Sequence, residues 1–329
     1  MKSKNILITG GTGSFGTAFV GYLLEHHPDI ARIVVFSRDE QKHVEMARRF
    51  PPSKYPLRYM VGDIRDRERM MEACRNMDIV VHAAAMKHVP VAEENPMECA
   101  KTNILGVQNV IDAALANKVS QVIALSSDKA VAPANVYGAS KLFLEKLFLN
   151  ANRENATQFS VVRYANVFGS KGSVVPFFLE KMAEGYLPIT HPEMTRFSIS
   201  MQEGLDLVMF AIQHGKGGEV IVPKAPSYRI LDVATAIAPG VEHRIVGIRP
   251  GEKLHEMMVG ASEAAQTVEL GCYYIVCPSE GPWDKAQYCS ENNATPVAEA
   301  FEFESGRNTE WMTVETIRGL IKQITQTHG

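Results

Sequence analysis

The stretch Asn5-Ile6-Leu7-Ile8-Thr9-Gly10-Gly11-Thr12-Gly13-Ser14-Phe15-Gly16 decides how the rest of the chain is read. A short apolar run, Asn5–Thr9, stops abruptly at glycines. A segment with helical spacing, Phe15–Glu25, follows at once. Glycines at 10, 13 and 16 permit a tight turn and let the backbone approach a pyrophosphate. The opening turn of the helix then offers unpaired N–H groups and the positive end of its dipole. The glycine pattern alone is weak, but its place between a first strand and a first helix makes it specific. Gly10, Thr12, Gly13, Ser14, Phe15 and Gly16 are therefore candidate dinucleotide contacts.

Working outward, strand-like and helix-like segments alternate through the first half. Arg32–Phe36, Ile79–His82, Gln121–Leu125 and Phe159–Arg163 read as strands. Asp66–Arg75, Pro96–Ala116 and Tyr137–Asn150 read as helices. This order predicts a doubly wound α/β Rossmann fold, a parallel sheet with helices on both faces. The alternation weakens near Asn166, where Gly169, Gly172, Pro176, Gly185 and Pro188 crowd the sequence. The expected organisation is a nucleotide-binding domain over 1–166 and a smaller mixed α/β domain over 167–329, with segments free to interleave. In the second part Val174–Glu184, Met201–Gln213 and Leu231–Ala238 read as helices, and Glu219–Val222 and Glu242–Val246 as strands.

The end of the second strand, Phe36-Ser37-Arg38-Asp39, bears on the cofactor. NAD enzymes place an acidic residue there to bind the ribose 2′-hydroxyl. Ser37 and Arg38, with Lys42 one turn on, suit a 2′-phosphate and favour NADP. If Arg38 is only a solvated charge and Asp39 meets the ribose, the cofactor is NAD. Asp63 and Ile64, after the third strand, can meet the adenine. Ala83 and Ala84, after the fourth, are small enough for a ring or ribose to lie against the backbone.

Tyr137 and Lys141 stand four apart at the start of a helix and so share a face. An ammonium and a bound nicotinamide, both positive, would lower the tyrosine pKa so that it can take a hydroxyl proton. Ser126-Ser127 ends the preceding strand and supplies an orienting hydroxyl. Asp128-Lys129 follow directly, at the carboxyl end of that strand, where such folds bind ligands. An epimerase needs no extra acid or base there, whereas a dehydratase needs both. The bland alternative is a solvated salt bridge.

These residues resemble a known family. Ala124-Leu125-Ser126-Ser127-Asp128-Lys129-Ala130 and Tyr137-Gly138-Ala139-Ser140-Lys141 are similar to the inverting UDP-N-acetylglucosamine 4,6-dehydratases, of the extended short-chain dehydrogenase/reductase superfamily. So are His82-Ala83-Ala84-Ala85-Met86-Lys87-His88-Val89-Pro90, Gly172-Ser173-Val174-Val175-Pro176, and Gly247-Ile248-Arg249-Pro250-Gly251-Glu252-Lys253-Leu254-His255-Glu256. The resemblance implies tightly held NADP, recycled in each turnover, and UDP-N-acetylglucosamine as substrate. Tyr137 and Lys141 would oxidise C4, Lys129 remove the C5 proton and Asp128 protonate the departing C6 hydroxyl. It also implies a homo-oligomer and a first step of pseudaminic acid biosynthesis. Lys87, Asn166, Val175, Arg196, Arg249 and Glu252 are the candidate contacts to the nucleotide sugar, and no metal is expected. A retaining branch carries methionine where this chain has Tyr137. Ser127 stands for a more usual threonine and Ala165 for a common glycine. Ser198 stands where an aromatic residue is usual, which bears on pocket shape.

Composition fits this picture. The chain has 329 residues, 46% hydrophobic and 22% charged, with net charge −3. That balance argues against electrostatic binding to nucleic acid or membrane surface. No apolar run reaches the ~18 residues of a membrane span or the ~7 of a secretory core. Five cysteines in no metal spacing read as reduced thiols, so a cytoplasmic enzyme is expected. The rivals are a UDP-sugar 4-epimerase and a non-catalytic nucleotide-binding protein of the same fold.

Overall fold

The computed structural model describes residues 1–152, 157–170, 173–281 and 283–328, and Gly172 lies outside them. The first half alternates as expected. Strands β1 (Asn5–Thr9), β2 (Arg32–Ser37), β3 (Leu57–Val61), β4 (Ile79–His82), β5 (Gln121–Ser127) and β6 (Gln158–Tyr164) are all parallel to their neighbours. Helices α1 (Ser14–His26), α2 (Glu40–Arg49), α3 (Arg67–Ala73), α4 (Val89–Glu94), α5 (Pro96–Ala100), α6 (Gly106–Ala116) and α7 (Val136–Ala151) connect them. The long helix expected over 96–116 is divided. A π-helical turn at Lys101–Leu105 separates α5 from α6. The wider turn carries Asn103 inward, where its Nδ2 donates to Ser140 Oγ (2.9 Å) and to the Met86 carbonyl (2.9 Å).

After β7 (Asn166–Val167) come α8 (Val174–Lys181), β8 (Tyr186–Ile189), β9 (Thr195–Ile199), α9 (Met201–His214) and β10 (Val220–Pro223). Then follow β11 (Ser227–Arg229), α10 (Ile230–Ile237), β12 (Glu242–Ile245), β13 (Met257–Val259), β14 (Thr267–Leu270) and β15 (Tyr273–Val276). The last elements are α11 (Lys285–Asn292), β16 (Thr295–Pro296), β17 (Phe303–Glu304) and α12 (Val314–His328).

Among the described residues the main sheet has ten strands, in the order β16-β14-β15-β10-β6-β5-β4-β1-β2-β3. It departs from the all-parallel expectation. β10 continues it in parallel beside β6, but β15, β14 and β16 are antiparallel. The short hairpin from β14 to β15 leaves no room for a crossover helix, so those strands must run antiparallel.

All seven residues of β5 are buried. Such continuous burial is what a strand covered on both faces requires. Leu7, Val34 and Val80 face Val107 and Val110 of α6 and Phe148 of α7. Ile6, Ile8 and Ile33 face Phe19 and Leu23 of α1 and Leu207 and Val208 of α9. A third core joins α8, β8, α10 and α12 through Phe178, Leu187, Val233 and Ile317. The strand order reverses between β4 and β1, and the crevice at their carboxyl ends is where such sheets receive ligands.

Candidate active site

The glycine turn sits in that crevice. Gly10 has φ +66°, and a Cβ there would stand 2.8 Å from Ala84 Cα. A Cβ at Gly16 would stand 2.5 Å from Gly11 Cα. Glycine at both positions lets β1, α1 and the loop after β4 close to contact distance. Gly13 precedes α1 with no side-chain cap, and the first turn holds no acidic residue. The N–H groups there point into the crevice unneutralised, which suits a pyrophosphate. Ser14 opens α1, and Phe15 stacks on Phe19 at 5.4 Å.

Thr12 Oγ1 donates to Ser37 Oγ at 2.8 Å and ties the turn to the end of β2. Arg38 extends outward, 59% exposed, 3.7 Å from Asp63. Asp39 is committed elsewhere. Its carboxylate caps α2 by accepting from Lys42 N at 3.1 Å and pairs with Lys42 Nζ at 3.3 Å. Burial works to raise the Asp63 carboxyl, but Arg65, at 2.7 Å, holds it below its ordinary value. Ile64 does not face the crevice. Its side chain is buried against Gly106, so only its backbone remains for an adenine.

Tyr137 and Lys141 both lie buried on α7. Lys141 Nζ donates to the Leu125 carbonyl at 2.6 Å, and burial, opposed by Glu145, brings its pKa down to about 8. Burial pushes the Tyr137 phenol up to about 12, while Lys129 and a hydrogen bond with Ser127 pull the other way. Lys129 is thus a second cation acting on the phenol, one that the helical spacing did not show. Ser126 Oγ is buried with no hydrogen-bond partner.

Asp128 and Lys129 form a short 3₁₀ turn immediately after β5. Asp128 is buried, accepting from Ser127 Oγ (2.8 Å) and from Lys129 Nζ (3.1 Å). This is not a solvated surface pair. Burial works against the Lys129 ammonium, yet Asp128 and Glu256 outweigh it and raise its pKa above the ordinary lysine value.

Sequence reading missed Glu256 as a site residue. Its carboxylate is buried 3.5 Å from Lys129 Nζ and 3.7 Å from Arg196 Nε. Lys253, also missed, reaches the same carboxylate at 3.8 Å. Both lie 120 or more positions from Lys129, and only the segment entering β13 brings them there. The sequence signal available was the run Lys253-Leu254-His255-Glu256 itself, charged residues placed directly before the apolar Met257-Met258-Val259.

The substrate-side candidates divide. Asn166 Nδ2 donates to Asp128 Oδ2 (3.4 Å) and the Phe197 carbonyl (3.3 Å), which places it beside the acid. Arg196 is mostly buried and joins the charged cluster. Arg249 and Glu252 pair loosely at 3.8 Å on the loop after β12, and Glu252 Oε2 is buried without a hydrogen-bond partner. That loop is fastened to the start of α7, because Asn135, which caps the helix, donates through Nδ2 to the Gly251 carbonyl at 2.8 Å. Lys87 is exposed on the loop after β4. Val175 is a correction: its side chain is fully buried in the third core, so only the free N–H of the first turn of α8 can serve. Among the described residues no group of three His, Cys, Asp or Glu side chains could hold a metal, and no helix could cross a membrane.

The uncapped glycine turn, the first turn of α7 with Tyr137, and the Asp128–Lys129 pair all lie at the carboxyl ends of the parallel strands, where a Rossmann-type sheet receives its ligands. The model of the family described as polysaccharide biosynthesis protein matches residues 6–278. The chain is 48% identical to the UDP-N-acetylglucosamine 4,6-dehydratase (inverting) of Campylobacter jejuni subsp. jejuni strain 81-176, over 97% of this chain and 98% of that one. It is 40% identical to a UDP-glucose 4-epimerase of Rickettsia canadensis, over 97% and 95%. A solved structure, Pen from Bacillus thuringiensis, superposes with a TM-score of 0.89 at 34% identity, covering 98% of this chain and 99% of that one. The chain belongs to the polysaccharide biosynthesis protein family and, within it, stands among the relatives of the inverting UDP-N-acetylglucosamine 4,6-dehydratases.

Proposed function

We propose that the protein dehydrates UDP-N-acetylglucosamine with inversion at C5, giving UDP-2-acetamido-2,6-dideoxy-β-L-arabino-hex-4-ulose. The observation that carries this reading is the buried contact of Asp128 and Lys129, 3.1 Å apart beside Tyr137. The pair holds one proton between them. Moving it from Nζ to Oδ1 yields a neutral amine and a neutral carboxylic acid together, the base and the acid an elimination needs.

Gly10, Thr12, Gly13 and the first turn of α1 would hold the pyrophosphate, with Arg38 and Ser37 toward a 2′-phosphate. NADP is favoured because Asp39 is occupied in capping α2. Held there, a nicotinamide cofactor would supply reversible hydride chemistry, as acceptor for oxidation at C4 and donor for the return to C6. Tyr137 takes the C4 hydroxyl proton, with Lys141 holding the local charge and Ser127 orienting the sugar. The C4 ketone acidifies the C5 proton, which the Lys129 amine removes. Asp128 protonates the C6 hydroxyl, which leaves as water. A proton then reaches C5 from the opposite face. Arg196, Arg249, Glu252 and the N-terminus of α8 would receive the uridine diphosphate. The product would enter pseudaminic acid biosynthesis in the cytoplasm, and the enzyme would work as a homo-oligomer.

Incubating the protein with UDP-N-acetylglucosamine in D2O, without added cofactor, and following the sugar by proton NMR tests this. A C6 methyl signal with deuterium at C5 and L-arabino couplings is expected. A change at C4 alone, with C6 intact, would identify a 4-epimerase, the activity named for the Rickettsia relative.

A further inference from the structure

Glu256 is the one carboxylate besides Asp128 that an ion pair of Lys129 reaches among the described residues. It is 3% exposed, and its place is set by the main chain. Glu256 N–H donates to Ser305 Oγ at 2.9 Å, and Ser305 N–H donates to the Glu256 carbonyl at 2.8 Å. Ser305 in turn shares a hydrogen bond with Thr195 (2.8 Å), whose Oγ1 also meets His255 Nδ1 (2.8 Å). The side chain then stands among three cations: Lys129 from the turn after β5, Arg196 from β9, and Lys253 from its own segment. None comes closer than 3.5 Å, and Glu256 Oε2 has no hydrogen-bond partner. Tyr137 of α7 and Tyr228 of β11 are the other titratable groups within reach of the cluster.

Burying a carboxylate is costly unless it is paired well. Here the pairing is loose and the pinning is stiff. Lys253 also has another partner, since its Nζ donates to the Val131 carbonyl at 2.5 Å. Among the described residues the ion pairs of Lys129 are these two carboxylates, at 3.1 Å and 3.5 Å from its amine.

We propose that Glu256 is a positioning residue of the elimination step: it holds Lys129 Nζ against Asp128 and governs how readily that amine releases its proton. The inference rests on the dehydratase reading above. An ammonium held by two carboxylates is a weak acid, so Glu256 keeps Lys129 charged and aimed between turnovers. Moving the proton to Asp128 leaves a neutral pair with Glu256 still ionised, balanced by Arg196 and Lys253. Removing the Glu256 charge therefore makes Lys129 give up its proton more easily while loosening its aim.

Two measurements on full-length protein test this. The first follows the Lys129 Cε signal in protein labelled with [13Cε]-lysine, assigned by its loss in Lys129→Arg. In Glu256→Gln its titration midpoint should fall by roughly one to three pH units, the range expected from losing an opposite charge at this distance. The second follows C5 hydrogen–deuterium exchange on UDP-N-acetylglucosamine against pH. Its alkaline limb should move down with the midpoint, while the maximal rate falls. Glu256→Asp, which keeps the charge but draws it back, should move both in the same direction by less, and it decides the matter if the glutamine variant does not fold. An unmoved midpoint in the folded variants overturns the proposal, as does an unmoved exchange limb. Inactivity of the wild type on this sugar would sink the dehydratase reading, yet the lysine titration would still decide what Glu256 does.

Discussion

Gly138 presses against the main-chain carbonyl of Lys129 so closely that a Cβ at position 138 would overlap it. The obstacles are that backbone and Pro133, whose Cβ would stand 3.1 Å from the added one. Neither can swing aside as the end of a long side chain could. The first turn of α7, which presents Tyr137, is thereby set against the turn that presents Asp128 and Lys129. Gly138→Ala should cost about 1–3 kcal/mol, as overpacking does, read as a fall of several degrees in Tm. It should also cost about 100-fold in kcat, since a shift of ~1 Å in a catalytic group is that expensive. An alanine variant with unchanged Tm and rate would show that the two turns are not in register contact.

Asp128 and Lys129 can be separated by isotope. In Lys129→Met neither C5 exchange nor a C6 methyl signal should appear, because no base reaches the C5 proton. In Asp128→Asn, which also removes the acceptor of the Lys129 proton, exchange at C5 should survive only at alkaline pH, where Lys129 loses its proton to solvent, while elimination falls by roughly 100- to 10,000-fold, the usual range for losing a general acid. Loss of both signals in both variants, at alkaline pH too, would mean that the two side chains do not divide the roles.

Arg38 should govern which dinucleotide is preferred. The side chain is free to swing, and a charge-assisted hydrogen bond to a phosphate contributes about 1.5–3 kcal/mol. Arg38→Ala should weaken NADP by roughly 10- to 100-fold and leave NAD almost unchanged, as measured by calorimetry on cofactor-stripped protein. Equal weakening of both would return the ribose to Asp39.

Lys141 makes a prediction about stability and pH. Its pKa falls from 10.5 in the ordinary state to about 8 in the fold, with burial the largest cause. Between those values the unfolded chain binds a proton that the folded chain does not, so stability from this group rises with pH across that window. Below about 8 the penalty is fully present. Lys141→Met lacks it. The Tm of the variant minus that of the wild type should therefore shrink as pH goes from 7 to 10. A difference that grows or stays flat would contradict the burial argument.

Much of this site could be read from the sequence because its chemistry is local. The Gly10–Gly16 turn, the Tyr137–Lys141 spacing and the Ser127-Asp128-Lys129 run each lie within one turn or loop, where order along the chain dictates proximity. The charged cluster was not legible for the opposite reason. Glu256 and Lys253 reach Lys129 only after β13 and β17 pair and Ser305 fixes the backbone of Glu256. Helix α2 was passed over because its mean composition is polar, and its clearest sign is the Asp39 cap. The division of 96–116 was hidden because a π turn needs no special residue. Its function is visible only in what Asn103 touches. The antiparallel edge of the sheet follows from a hairpin, Leu270 to Tyr273, that strand propensity alone does not orient.

The strand β10 that continues the sheet beside β6 has a practical consequence for remaking this enzyme. Arg163, buried at the end of β6, takes its partners from both halves of the chain: Glu145 at 2.7 Å from α7, Glu263 at 2.6 Å and the Met258 carbonyl at 2.9 Å. A chimera that grafts another enzyme's second half after residue 166 would take β10 from the edge of β6 and leave Arg163 with Glu145 alone of its three partners. A swap of halves must therefore bring its own strand for β6 and its own acceptors for Arg163. Altering selectivity loop by loop instead carries the seam at β6 along intact.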